Sequence, residues 1–344
     1  MLSAFVSAFR TPDLRRKLLF TLGIIVLYRL GTYVPAPGVS YENVQQCLDE
    51  SGSADLLTML NMFSGGAMFQ LSVFALGIMP YITASIIIQL LRVVIPRFEE
   101  LHKEGQSGTA KLTQYTRYLT IGLAIMQSAV VITVANSSLF LGCTVDPFPD
   151  TSAGMVLLAI LSMTAGTGLI MWMGEQITER GVGNGMSILI FSGICASFPP
   201  AMGQVLRSNN GVQNLIFIIA LFLAITVVVV FVEQSQRRIP VQYAKRVVGR
   251  RTYGGSTTYI PIKINMANVI PVIFASSLLA LPTMAMQFGD PTAGWVIWLS
   301  QHYNQTSPLY LATFALLIIF FAFFYTSITF NPEEFADNMK RYGG

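Results

Sequence analysis

The chain has 344 residues, of which 53% are hydrophobic and only 11% are charged. About a quarter of the residues in soluble globular proteins are charged, so this composition excludes an ordinary soluble enzyme and indicates a polytopic membrane protein. The formal net charge of +4 matters less than its distribution, because basic residues concentrate in the cytoplasmic loops of membrane proteins.

The predicted elements begin with residues 1–17, which lack a cleavable signal sequence and are interpreted as a cytoplasmic amphipathic N-terminus. Here Thr11-Pro12-Asp13 predicts a helix start, because threonine favours the N-cap position and proline the first helical position. Eight apolar segments follow, and each predicts a membrane span. They are residues 18–34, 73–95, 118–135, 153–173, 186–197, 215–232, 269–286 and 309–328.

The distribution of basic residues predicts the orientation of these spans. Of the 21 basic residues, 19 lie at the two termini and in alternate loops, which places both termini in the cytoplasm. Arg207 lies in an opposite loop. Arg29 lies within span one, where we expect it either to reach the interface or to find a polar partner in the bundle. Spans two to eight carry no acid or base at mid-depth, which argues against an ion-driven carrier and an intramembrane protease.

One uncharged stretch is too long for a single span. Residues 56–91 include no charged side chain, and a continuous helix of that length would rise about 54 Å, against a hydrocarbon core of roughly 30 Å. The stretch is interrupted by Gly65-Gly66, Gly77 and Pro80. It therefore predicts a short re-entrant helix followed by span two, because irregular backbone at membrane depth must be buried in protein or line a cavity.

The cysteines and histidines predict no cofactor and no metal site. Cys47 and Cys143 both lie on the predicted external side, where a disulfide and two unpaired thiols are equally open. Cys195 is expected to pack within span five. His102 and His302 lie on opposite predicted sides, and no CxxC or other metal-ligand spacing occurs.

Two segments carry a close resemblance to a known family, SVFALGIMPYITASIIIQLL (72–91) and MGEQITERGVGNGMSILIF (173–191). Shorter strings add to it: NMFSGGA, KEGQSG, QYTRY, QRRIPVQYAKR, GRR and NVIPVIFASS. On these residues the chain resembles the SecY family, the channel subunit of the protein-conducting translocon. The likeness runs from about residue 14 to residue 344.

The resemblance implies an all-α polytopic fold, a clamshell of two inverted halves with ten spans, of which eight are present here. The N-terminal half would comprise residues 18–197 and the partial C-terminal half residues 198–344. A channel of this kind passes unfolded secretory polypeptides through its pore and releases hydrophobic segments sideways into the plasma membrane.

The re-entrant helix, at roughly residues 57–69, would correspond to the plug that closes the external funnel in this family. Gly65-Gly66 would give it a hinge, because glycine adopts positive φ at little cost. A glycine-rich turn leading into span two is the alternative that the residues alone leave open. The plug residues are Leu57, Leu60, Met62, Phe63, Gly65, Gly66 and Met68.

The family's pore constriction is a ring of aliphatic side chains, and by position within the motifs it corresponds to Ile78, Ile82, Ile190 and Ile273. Ile78 and Ile82 are four residues apart and would share one helix face. Such an apolar ring can exclude ions by dewetting. The lateral gate would have spans two and three on one side and spans seven and eight on the other, with Gln89 and Asn268 as polar contacts. Ordinary interhelical hydrogen bonds explain these two residues equally well.

The cytoplasmic loop at about residues 233–268 is basic and has aromatic and β-branched residues around Gly254-Gly255, which predicts a hairpin-like projection turning there. The resemblance makes this loop the docking site for the ribosome or the SecA motor, with Arg250 and Arg251 at its tip. Guanidinium groups suit carboxylates of a motor protein and phosphates of ribosomal RNA.

The further partners that the resemblance implies are the small subunits SecE and SecG, signal peptides and nascent chains, and the lipid bilayer. The channel itself is not expected to be an enzyme, because no P-loop is present and its partners supply the energy.

Family members continue beyond the position of Gly344 into another loop and two more spans, so we expect this chain to be a truncated form of a channel. A genuinely short chain would leave a seam in the pore wall, and a non-functional or scaffold fragment is then the alternative. A passive small-solute channel is a further alternative, which the aliphatic pore lining disfavours.

Overall fold

The computed structural model describes most of the chain, and it is largely helical. The described residues are 11–44, 46, 64–68, 70–137, 148–149, 152–207, 210–242, 246–248, 251–253, 257–267, 269–288, 293–303, 307–329 and 336. The predicted sites at Leu57, Leu60, Met62 and Phe63 fall outside this part. So do Asn268, Arg250, Cys47 and Cys143.

The described elements are ten helices and one group of four short strands. The helices are α1 (Pro12–Thr32), α2 (Met79–Val94), α3 (Pro96–Lys103), α4 (Gln106–Ser137), α5 (Ala153–Arg180), α6 (Gly185–Arg207), α7 (Gly211–Gln234), α8 (Ile270–Phe288), α9 (Gly294–His302) and α10 (Pro308–Thr329). Between α7 and α8 lie β1 (Gln236–Gln242), β2 (Arg246–Val248), β3 (Arg251–Tyr253) and β4 (Thr257–Lys263). Each of the eight predicted spans overlaps one of these helices.

Five of the described helices, α4, α5, α6, α7 and α10, are long and apolar enough to cross a membrane. Helices α2 and α3 would add a sixth span if they are counted as one segment bent by 99°. The polytopic helical class is thereby confirmed, whereas the count of eight spans stays a prediction.

Helix α1 begins where the sequence predicts, with Thr11 at the N-cap position in extended conformation and Pro12 in the first turn. The Thr11 side chain makes no capping hydrogen bond. Helix α2 differs from its prediction, because it begins at Met79 and not at Val73. Gly77 has a φ of +56° and Pro80 lies in the first helical turn, so the chain enters α2 through irregular backbone.

Prolines mark the end of α2 and also lie inside α6. Ile95 is extended (φ −104°, ψ 111°) before Pro96, because proline disfavours helical conformation in the residue that precedes it. Helix α6 runs through Pro199 and Pro200 and is longer than the predicted span at 186–197. The predicted boundary between the two halves therefore falls inside α6, and the division into inverted halves stays a prediction.

The chain divides into two compact units, and the first comprises residues 1–203 and 285–296. One of its buried apolar clusters is called here the Ile170 cluster. Its members are Ile24, Tyr28, Ala67, Phe74, Ile78, Ile170, Met173, Ile177 and Leu189. These residues come from α1, the segment before α2, α5 and α6, so the cluster holds these elements together.

The second unit comprises residues 204–284 and 297–344. In it the ring centroids of Phe274 in α8 and Phe321 in α10 lie 5.0 Å apart. In the long apolar helix α7, Gly211 is the one buried residue. An apolar helix exposed around its circumference is suited to a lipid environment.

Candidate functional site

Three of the four predicted pore-ring isoleucines lie in the first unit, and the structure brings them to the Ile170 cluster. Ile78 is a member of that cluster and is only 2% exposed, while Ile82 and Ile190 are half-buried and pack against it. The Ile82 amide donates to the Ile78 carbonyl at 3.1 Å, which places the two residues one helical turn apart as predicted. Packing within the unit accounts for the apolar character of Ile78, so the ring itself stays a prediction.

The fourth ring residue, Ile273, belongs to the first turn of α8 in the second unit, where it is buried. Its amide donates to the carbonyl of Val269 at 3.4 Å. Ile273 is therefore an ordered helical side chain.

Of the predicted plug residues, the structure describes Gly65, Gly66 and Met68. Gly65 and Gly66 have φ values of +66° and +94°, a region that favours glycine. Met68 is buried, and its amide donates to Ser64 Oγ at 3.2 Å. The positive φ values that the hinge interpretation requires are present, while the plug assignment itself stays a prediction.

The segment between Gly66 and α2 is attached to the residues that follow α1. The Ala36 amide donates to the Leu71 carbonyl at 3.0 Å, and the Val73 amide donates to the Val34 carbonyl at 2.9 Å. Leu71 is fully buried although its φ is +45°. A non-glycine residue in this region is strained, and such strain persists where surrounding contacts fix the backbone.

Of the two positions that the sequence allowed for the Arg29 side chain, the membrane interface or a polar partner in the bundle, the structure shows the second. Its Nη1 donates to the Gly65 carbonyl at 2.9 Å, and its Nη2 donates to the Ser192 carbonyl in α6. The neighbouring Tyr28 hydroxyl donates to the Ser64 carbonyl at 3.5 Å. Sequence reasoning identified Arg29 as unusual but gave no sign of these acceptors, because backbone carbonyls leave no trace in residue identity.

The second signature segment forms a tight connection between α5 and α6. Asn184 Oδ1 accepts the amides of Met186 and Ser187 at 3.0 and 3.3 Å, as an N-cap side chain does. A Cβ atom on Gly185 would lie 1.9 Å from the Gly174 carbonyl oxygen. Glycine at this position therefore allows the two helices to approach closely.

The loop between α5 and α6 also docks on α1, since the Val182 amide donates to Thr21 Oγ1 at 3.3 Å.

An ion pair joins α4 and α5 within two of the motifs, QYTRY and MGEQ. Arg117 Nε donates to Glu175 Oε1 at 2.9 Å, and Arg117 Nη2 donates to Glu175 Oε2 at 2.8 Å. The Arg117 side chain is 40% exposed and that of Glu175 is 17% exposed. This bidentate pair fixes the distance and the relative orientation of α4 and α5 at this point. The sequence alone did not indicate that Arg117 and Glu175 are partners.

The hairpin-like projection is confirmed, but its predicted turn is wrong. Strands β1 and β4 pair antiparallel from Gln236↔Lys263 to Gln242↔Thr257, and β2 pairs with β3 from Arg246↔Tyr253 to Val248↔Arg251. The innermost described pair is Val248↔Arg251, so the chain reverses before Gly254-Gly255 is reached. Gly254-Gly255 instead lies between β3 and β4, which are not paired with each other.

Of the two predicted docking arginines, Arg251 is the first residue of β3. Arg250, the residue before it in the sequence, lies outside the described residues. Their docking role is not tested by these contacts and stays a prediction.

The predicted lateral-gate contacts stay untested as well. Gln89 Nε2 donates to Ser85 Oγ of its own helix at 3.4 Å, which an ordinary helical side chain explains. The prediction that Cys195 packs inside the protein is wrong, because the residue is exposed. It lies among Phe191, Ile194 and Phe198, which are exposed too and form an apolar α6 face suited to lipid.

Comparison with known proteins decides the family. A family model described as SecY matches residues 72–344. The protein translocase subunit SecY of Streptomyces coelicolor is 58% identical over 352 residues, which cover 100% of this chain and 80% of the relative. The chain belongs to the SecY family. The SecY relative of Mycobacterium tuberculosis is 55% identical over 355 residues, with the same shares covered.

Solved structures support the SecY fold independently of close sequence identity. A structure described as a protein-conducting channel matches with a TM-score of 0.56 at 19% identity, covering 90% of this chain and 69% of the other. Sec61 in a canine ribosome-channel complex matches with a TM-score of 0.54 at 18% identity, covering 94% and 75%. The resemblance and the all-helical polytopic fold predicted from the motifs are both confirmed.

Proposed function

We propose that this chain is the channel subunit of a Sec protein translocase, which passes unfolded polypeptides across a membrane and releases hydrophobic segments into the bilayer. The observation that carries this proposal is the SecY match over residues 72–344, together with the 58% identity to a translocase subunit. Family membership also makes the chain a multi-pass membrane protein and a transport channel.

The alternation of basic loops supports a bacterial plasma-membrane location with both termini in the cytoplasm. In that orientation the hairpin of β1–β4 projects into the cytoplasm, where Arg250 and Arg251 would dock the SecA motor or the ribosome. One structural neighbour is described as a channel in complex with a ribosome, which supports the second partner. SecE, SecG, signal peptides and nascent chains complete the proposed partners, and the chain itself hydrolyses no nucleotide.

The positions of Ile78, Ile82, Ile190 and Ile273 within the family's motifs support a pore constriction made of these four residues. Side chains without polar groups cannot replace the hydration shell of an ion, yet they can move apart around a polypeptide of any sequence. Residues 57–69 would form the plug, and Gln89 and Asn268 would contribute to the lateral gate.

Complementation tests the function directly. A bacterium with a temperature-sensitive channel subunit would express this chain, and processing of a secretory precursor would be followed at the non-permissive temperature. We expect export to resume. The Streptomyces coelicolor relative is the positive control. Failure of this chain to restore export, when it is inserted at the same level as that relative, would contradict the proposal.

A further inference from the structure

Arg29 joins three segments of the first unit that are distant in sequence. It lies in the last turn of α1, and its guanidinium donates to the carbonyl of Gly65, 36 residues away, and to that of Ser192, 163 residues away. Gly65 belongs to the segment predicted as the plug, and Ser192 belongs to α6. A single side chain thus joins the predicted plug segment to both α1 and α6.

The adjacent residue strengthens the same attachment. Tyr28 is 1% exposed, its hydroxyl donates to the Ser64 carbonyl at 3.5 Å, and its ring stacks on Phe74 with centroids 6.0 Å apart. The Arg29 guanidinium carbon lies 5.6 Å from the centroid of the Tyr28 ring, within the range of a cation–π contact. Two successive carbonyls, those of Ser64 and Gly65, are therefore held by two successive residues of α1.

The Gly65 carbonyl is a special acceptor because it belongs to the peptide unit that links Gly65 to Gly66. Both glycines have positive φ, and the rotations that would move a hinge at this point also turn this carbonyl. Displacement of the preceding segment through the hinge would break the hydrogen bond to Arg29. The bond is therefore specific to the arrangement seen here.

The surrounding space allows no side chain at Gly65. An added Cβ atom would lie 2.7 Å from Arg29 Nη1 and 3.0 Å from the Cα atom of Gly193. A side chain at Gly65 would thus push the Arg29 guanidinium away, so the contact can be disturbed at the acceptor residue as well as at the donor. The structure provides two independent ways to disturb the same bond.

The charge of Arg29 makes the contact consequential. Both of its recorded hydrogen bonds within the described residues go to backbone carbonyls, and neither ion pair found there includes it. Hydrogen bonds that involve a charged group are stronger than neutral ones, and a cation deprived of them inside a membrane protein is costly. Movement of the segment would remove part of this compensation.

We infer that Arg29 is a positioning residue that holds the carboxyl end of the plug to the first unit and so disfavours opening of the resting channel. The inference rests on the proposed function, because it takes residues 57–69 as the plug. It assigns the closed-state attachment to a side chain outside the plug and outside the pore ring.

The test uses the full-length chain, assembled with its partner subunits in planar bilayers, and compares resting ion conductance. Arg29→Met removes all donors but preserves an apolar stem. We expect openings to be at least about tenfold more frequent, since losing a charge-assisted hydrogen bond from one of two states shifts the equilibrium by that order. Arg29→Lys preserves the charge without the forked geometry, and an intermediate frequency is expected.

Two further variants isolate the contact. Arg16→Met makes the same replacement at an exposed position of the same helix and should leave conductance unchanged. Gly65→Ala should raise conductance, and it should raise it less in the Arg29→Met background than alone, because the two changes share one bond while the positive φ and the Gly193 contact of Gly65 add strain of their own. If Arg29→Met does not accumulate in the membrane, Gly65→Ala with Arg29 intact decides the question.

Unchanged resting conductance in Arg29→Met would overturn the inference. If Arg29→Met does not accumulate in the membrane, unchanged conductance in Gly65→Ala would overturn it instead. The same holds if their effects are fully additive. The proposed function is tested separately by export with the unsubstituted chain, so its failure is distinguishable from failure of this inference.

Discussion

Arg117 and Glu175 lie 58 residues apart in the sequence, yet the guanidinium of one meets both carboxylate oxygens of the other at 2.9 and 2.8 Å. A second ion pair, Lys103–Glu99, has a nitrogen–oxygen distance of 2.7 Å but is a local i,i+4 contact with side chains 71% and 54% exposed. The two pairs thus have similar lengths and different surroundings, and they form a natural comparison.

We predict a larger coupling for the pair that links α4 and α5. A double-mutant cycle with Arg117→Gln and Glu175→Gln should give about 1 kcal/mol, the upper end for partly exposed pairs, because the contact is bidentate and Glu175 is mostly covered. The same cycle with Lys103→Gln and Glu99→Gln should give roughly 0.3 kcal/mol. Unfolding of the detergent-solubilised protein, followed by circular dichroism, provides the free energies, and equal couplings would contradict the prediction.

We predict that Gly185→Ala destabilises the first unit. The added methyl would meet the Gly174 carbonyl oxygen at 1.9 Å and Ile177 Cβ at 2.8 Å, so α5 and α6 must separate, at a cost of about 1–3 kcal/mol. Gly168→Ala in α5 is the matched control, because nothing lies within 4 Å of its added Cβ atom. Alanine is the better helix former, so this control should be neutral or stabilising. Thermal unfolding compares the two, and a control as damaging as Gly185→Ala would refute the steric explanation.

We predict that Ile82→Asn raises ion leakage through the resting channel. An amide side chain in an apolar constriction would stabilise water there and weaken the dewetted barrier. Ile87→Asn is the control, because Ile87 is equally half-buried in α2 but points about 140° away on the helix. Conductance in planar bilayers is the measurement. Leakage that is the same in both variants would remove Ile82 from the proposed ring.

We predict that Arg250→Glu combined with Arg251→Glu impairs partner-driven translocation while the protein stays inserted. Reversed charge at these two positions of the docking loop would repel carboxylates of a motor protein and phosphates of ribosomal RNA. Translocation of a precursor into membrane vesicles measures the effect. Arg207→Glu, at the end of α6 on the side predicted to be external, controls for general loss of positive charge. Normal export in the double variant would refute the docking assignment.

Local features of this fold were predictable, because they depend on neighbouring residues alone. The apolar segments coincide with helices, and Pro12 begins α1 as expected. The late start of α2 at Met79 was signalled by Gly77 and Pro80, but apolarity alone does not separate a helix from buried irregular backbone. The apolar pattern therefore predicts a span that includes residues 73–78, where the structure has irregular backbone.

Contacts between distant residues were not predictable in the same way. Arg117 and Glu175 each lie in a recognised motif, but one sequence has no signal that pairs them. Gly254-Gly255 is the strongest local turn signal in the docking loop, whereas the observed register already pairs β2 with β3, which both precede it. The acceptors of Arg29 are backbone atoms, which any residue provides.

The β1–β4 ladder has one proline in each strand, Pro240 opposite Tyr259 and Pro261 opposite Arg238. These pairs are two residues apart, so both prolines occupy positions whose backbone nitrogens face away from the partner strand. Each outer edge of this two-stranded ladder consequently lacks a hydrogen-bond donor where an additional strand would need one. An additional strand would therefore gain fewer hydrogen bonds by pairing along either edge, so the two prolines disfavour edge-to-edge association of hairpins from neighbouring copies.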